Sequence, residues 1–155
     1  MKKHRLGIVG LLVLGMVLVL CSCGGGGSSS SKRLNKEQFA AKANALCTEF
    51  SKQAGKAGST QTAAQTIAFF NKMLPLNKKF FADFGKLKPP ADEEAAVNQI
   101  VGLGKEQVAR IKTMIALIKG KDRTQADKLT RKGAANLTAR QILFTELGIN
   151  VCAKT

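Results

Sequence analysis

The chain has 155 residues, 45% of them hydrophobic, and a formal net charge of +15. That length holds one domain with at most a tail, and the hydrophobic share is that of a globular protein, which excludes wholesale disorder. Aromatic content is 5%, all of it Phe, with no Trp, no Tyr and a single His at position 4, so a Trp- or Tyr-walled cage for a quaternary ammonium ligand is excluded.

The chain opens on a short basic stretch carrying Lys2, Lys3 and Arg5, followed by 15 uncharged residues from Leu6 to Leu20. That run suits the apolar region of a secretory signal and is short for a permanent span, which needs about 20 residues. The next four residues, Leu20-Cys21-Ser22-Cys23, resemble the bacterial lipobox. Leu20 stands three positions before Cys23 and small Ser22 one before it, whereas Cys21 fits less well because bulky Leu20 precedes it directly. The resemblance implies cleavage after Ser22, a diacylglyceryl group on the Cys23 thiol, and residence on the extracytoplasmic face of the cell membrane. The competing readings are an uncleaved anchor and a plain signal peptide.

Eight residues of Gly and Ser, Gly24 to Ser31, contain no side chain able to build a core. Such a run is flexible coil reaching roughly 16 Å on average and under about 29 Å when extended. It lacks the Lys-Ser/Thr of a phosphate-binding loop. The expected organisation is therefore a signal peptide over 1–22, a lipidated Cys and tether over 23–34, and a helical domain over 35–155.

The domain reads as four helices. Asn35 with Gln38 forms a capping-box signature, and Phe39, Ala43, Leu46, Cys47, Phe50 and Ala54 follow at helical spacing until Gly55 and Gly58. Ser59 or Thr60 is expected to start a second helix along Ile67, Phe70, Leu74, Phe81 and Phe84, with Pro75 expected to kink or break it. Pro90 and the acidic run Asp92, Glu93 and Glu94 suit the first turn of a third helix. Its stripe runs through Val97, Ile100, Val101, Val108, Ile111, Ile115 and Ile118; Gly102 and Gly104 weaken it and leave room for a close neighbour. A fourth helix begins near Asp122 or Thr124, follows Ala126, Leu129, Gly133, Leu137, Phe144 and Leu147, and is capped by Gly148. No run alternates as a strand does. The fold class is all-α, and short connections favour a four-helix up-down bundle.

The cysteines fit an exported protein. With Cys21 lost and Cys23 lipidated, Cys47 and Cys152 remain as an even pair and read as a disulfide closing a long loop, the other possibility being two buried thiols. The segments Ala43-Asn44-Ala45-Leu46-Cys47, Leu87-Lys88-Pro89-Pro90 and Leu147-Gly148-Ile149-Asn150-Val151-Cys152 also resemble those of small exported helical proteins and lipoproteins common in actinobacteria. That resemblance implies the helical fold and the same disulfide, and no activity.

Loss of His4 with the signal leaves no His-based acid–base pair, triad or zinc site, and bonding of Cys47 to Cys152 leaves no thiol nucleophile. Glu49, Asp83, Glu106 and Glu146 form no recognisable pair, and Asp122 to Asp127 lacks the acidic density of a calcium loop. No cofactor and no metal are expected, and no enzyme activity. Removal of Lys2, Lys3 and Arg5 leaves 22 basic residues against 10 acidic ones, a charge of +12. Lys32, Arg33 and Lys36, with Lys86 and Lys88, are expected at the tethered end facing anionic lipid headgroups. Lys119, Lys121 and Arg123 are expected at the far end, within reach of an extracellular polyanion; a basic surface serving solubility is the plainer alternative. The sequence thus reads as a tethered, non-enzymatic binding or structural module. Polyanion binding, or carriage of an apolar small molecule in a hollow bundle core, are the alternatives.

Overall fold

The computed structural model describes residues 32–154. The signal peptide, the lipobox residues Leu20, Cys21 and Ser22, the lipidation site Cys23 and the Gly/Ser run lie outside the described residues. Four long helices make up the domain: α1 (Lys36–Ala54), α2 (Ala63–Phe84), α3 (Glu94–Lys119) and α4 (Arg123–Glu146), followed by the single-turn α5 (Asn150–Ala153). No strand occurs among the described residues.

The helix ends follow local chemistry. Asn35 and Gln38 close the expected capping box on α1. The start of α2 differs from expectation: Thr62, not Ser59 or Thr60, is the N-cap, because Gln65 stands three residues on and completes a second capping box. Pro75 does not divide α2, which runs unbroken to Phe84. Pro90 caps a 3-10 turn, Ala91–Glu93, so Asp92 and Glu93 precede the third helix and only Glu94 falls in its first turn. Asp122 caps α4 through the Gln125 amide.

The C-terminal ends of α3 and α4 are Schellman turns, recognisable by paired hydrogen bonds that reach back over the last turn. At the end of α4 the Gly148 amide donates to Thr145 and the Ile149 amide to Phe144, with Gly148 at φ 69. At the end of α3 the Lys121 amide donates to Ile118 and the Asp122 amide to Leu117. There the left-handed residue is Lys121, at φ 58; Gly120 sits one position too early and is right-handed.

α1 packs on α2, α2 on α3 and α3 on α4, while α5 packs on both α4 and α1. α1 and α4 stand further apart, with no pair of their Cα atoms within 8 Å, although side chains of both join the same core. The core is built of Phe39, Ala43 and Cys47 from α1, Phe80, Phe81 and Phe84 from α2, Val97 and Ile100 from α3, and Leu143, Phe144 and Leu147 with Ile149 and Cys152. Phe84 stands edge-on to Phe39 and Phe144, with ring centroids 6.1 and 5.7 Å away, a favourable arrangement for buried rings.

The tail is fastened to α1 twice. Cys47 and Cys152 form a disulfide with their Cα atoms 5.3 Å apart. Beside it Asn44 accepts from the Val151 amide at 2.9 Å and donates to the Gly148 carbonyl at 3.4 Å. Cys152 lies within the single turn of α5.

Candidate functional site

The buried core fills only part of each helix. In α1 it occupies Phe39 to Cys47 and stops before Phe50; in α2 it begins at Phe80, after Phe70, Met73 and Asn77. In α3 the continuous cluster stops at Ile100, with Ile111 buried apart from it, and in α4 it begins at Leu143, after buried Asn136 and Arg140. The remaining apolar stripes, between helices α1 and α4 whose Cα atoms nowhere come within 8 Å, line a cleft of about 530 Å³. Phe50, Phe70, Met73, Ile111, Met114 and Leu137 give it an apolar wall. That volume is within the range of small-molecule pockets. Leu137, on the expected α4 stripe, is 37% exposed, as befits a lip of an open cleft.

The polar groups of the cleft are few and specific. Asn77 is buried, donates to the Met73 carbonyl at 2.9 Å and accepts from Gln107 at 3.0 Å, joining α2 to α3. Gln107 Oε1 is buried and takes no hydrogen bond. Arg140 lies on the α4 stripe between Leu137 and Phe144, 8% exposed. Its guanidinium rests over the Phe81 ring, 5.3 Å from the centroid, and its Nε is buried without a hydrogen-bond partner. Burial, with the neighbouring Arg110 charge, lowers its pKa to about 10. Arg110 lines the same cleft, with Glu106 3.6 Å away. Among the described residues no carboxylate lines the cleft.

Arg140 is what the sequence reading missed. Its signal was present: Gly133, Leu137, Arg140, Phe144 and Leu147 fall at alternating steps of four and three, so a cation occupies a core position.

The basic clusters are distributed as follows. Arg33 donates to the Pro89 carbonyl and pairs with Glu94 at 2.7 Å, and the Leu34 amide donates to the Lys88 carbonyl. The segment leading into α1 is therefore docked against the α2–α3 connection, which brings the 32–36 and 86–88 clusters together. Much of their charge is matched internally. Lys36 pairs with Asp92 at 2.8 Å, and Lys86 and Lys79 both pair with Asp83. The Lys36 ammonium holds Asp92 below the usual carboxylate range, and hydrogen bonds from Lys79 and then Lys86 do the same for Asp83. Lys119, Lys121 and Arg123 cluster at the exposed α3–α4 turn.

Among the described residues no helix is long and apolar enough to cross a membrane, and no group of three His, Cys, Asp or Glu residues is placed to hold a metal. No known protein family, curated protein or solved structure matches the chain.

Proposed function

We propose that this protein is a non-enzymatic carrier or receptor for an apolar small molecule. In this reading a diacylglyceryl group on Cys23 holds it on the extracytoplasmic face of the cell membrane. The cleft carries the reading: four helices present apolar side chains to one cavity of about 530 Å³ that side chains leave unfilled. Binding there buries apolar surface on both partners, worth about 25 cal/mol per Å² removed from water. The alternation of filled and hollow portions from helix to helix supports an up-down-up-down bundle with the disulfide-bonded, packed end beside the tether. The hollow end would then point away from the membrane.

Titration with an apolar fluorescent probe tests the carriage. Saturable binding at one site, displaced by a competing apolar molecule and weakened by Ala54→Phe on the cleft wall, is expected; absence of saturable binding overturns it. Metabolic labelling with a fatty-acid probe tests the anchor, and labelling that survives Cys23→Ala would refute it.

A second reading, contact with an extracellular polyanion, rests on the exposed turn Lys119, Lys121 and Arg123. It requires salt-dependent retention on heparin that falls when these three are neutralised.

A further inference from the structure

We infer that the cleft accepts a single-chain anionic amphiphile, with its acyl chain along the Phe and Met wall and its anionic head on the Arg140 guanidinium. This deepens the carrier reading and rests on it.

The first observation is an uncompensated charge. Arg140 is nine-tenths buried, lines the cleft and among the described residues has no ion pair; its Nε is buried without a hydrogen-bond partner and its guanidinium rests over the Phe81 ring. A buried guanidinium without a counter-ion is unfavourable unless something supplies one. Arg110 adds a second cation to the same wall, and the one carboxylate near it, Glu106, also accepts from Asn136 at 3.1 Å and is 64% exposed at its side chain. This outward-lying carboxylate pairs with Arg110 and not with Arg140, which leaves the lining of the cleft with two cations and, among the described residues, no carboxylate.

The second observation is the apolar remainder. An inorganic anion would satisfy Arg140 and leave Phe50, Phe70, Met73 and Met114 in contact with water; an anion carrying an acyl chain satisfies both. Methionine side chains adapt to a flexible chain better than branched ones. A carboxylate or phosphate head on such a chain meets the Arg140 guanidinium as a charged hydrogen-bond acceptor.

The test is calorimetric titration of the full-length protein, stripped of copurifying lipid, with laurate, dodecyl phosphate, dodecanol, dodecylamine and inorganic phosphate, each below its micelle concentration. At neutral pH the two anionic amphiphiles should bind roughly tenfold or more tighter than dodecanol, since hydrogen bonds to charged groups contribute that much, and dodecylamine should bind more weakly than dodecanol. Each methylene added to the carboxylate should tighten binding roughly fourfold until the cleft is full. Arg140→Met should abolish the anion preference while dodecanol still binds, and Arg140→Lys should retain part of it. Equal binding of dodecanol and laurate, or a preference unchanged by Arg140→Met, overturns the headgroup assignment and leaves the carrier reading standing. Inorganic phosphate binding as tightly as dodecyl phosphate makes this a small-anion site and overturns the amphiphile. Failure of dodecanol as well as the anions overturns the carrier reading itself.

Discussion

Gly104 of α3 lies so close to the ring of Phe81 on α2 that a Cβ at this position would stand 2.2 Å from a ring carbon. Phe81 cannot easily withdraw, because it is 4% exposed and held between Phe80 and the Arg140 guanidinium. Gly102, one half-turn away, has nothing within 4 Å of such a Cβ. The two glycines therefore predict opposite outcomes. Gly104→Ala should destabilise by about 1–3 kcal/mol through overpacking. Gly102→Ala should stabilise by roughly 0.5–1 kcal/mol through helix propensity alone. Urea denaturation of both variants checks the pair, and stabilisation by Gly104→Ala would rule out the close approach.

Lys121 takes the left-handed position of the Schellman turn that ends α3. A residue with a Cβ pays about 1 kcal/mol there, and Gly gives up somewhat less in unfolded-state entropy. Lys121→Gly should raise stability by roughly 0.5 kcal/mol, and Lys121→Val should lower it, since a β-branched side chain tolerates φ 58 poorly. Thermal unfolding of both variants decides it; an unchanged Lys121→Val would argue against the left-handed turn.

Turn chemistry explains which parts of this fold were legible in the sequence. The caps at Asn35 and Asp122 and the C-terminal turn at Gly148 were readable, because a short polar side chain or a left-handed glycine sits where the backbone needs one. Thr62 and Gln65 carried the same signal as Asn35 and Gln38 but were passed over for the Ser59-Thr60 pair upstream. At the end of α3 the left-handed residue is Lys121 although Gly120 stands beside it, and side-chain identity does not reveal which residue of a turn is left-handed. The cleft was legible only as an alternative. Periodicity shows which face of a helix is apolar, not whether two such faces meet, and the wide separation of α1 from α4 is a property of the assembled helices. Arg140 was hidden by a rule that is usually sound, that cations lie on surfaces.

Cys47 and Cys152 are both buried and join positions 105 residues apart. A crosslink closing so long a loop stabilises by about 4–5 kcal/mol in the chain-entropy model. Replacing both by Ala should therefore remove much of the stability of a domain this size, and should first loosen α5, leaving it held by its packing on α1 and α4 and by the Asn44 hydrogen bonds. Hydrogen exchange should show the amides of residues 149–153 losing protection ahead of the α2–α3 pair. A double variant within about 1 kcal/mol of the parent would show that the bridge closes a loop already compact when unfolded.

Arg140 sets stability against binding. Its guanidinium is held well below its ordinary pKa, at about 10, chiefly by burial and then by Arg110. A cation with a lowered folded pKa is disfavoured by folding while it is charged. The penalty is therefore fully present at neutral pH and is relieved as pH rises through about 10 towards the ordinary arginine value. Arg140→Met fills similar volume without the charge, and should stabilise the unliganded protein at pH 7 by on the order of 2 kcal/mol. That advantage should shrink above pH 10. Thermal scans of parent and variant from pH 7 to 11 measure the gap, and a gap that widened with rising pH would reverse the sign of this argument. Saturating laurate should reverse the order of the two proteins near neutral pH, because the ligand supplies the counter-charge to the parent alone. A buried cation that weakens the empty fold and is matched only when the cleft is occupied belongs to a site shaped for an anion.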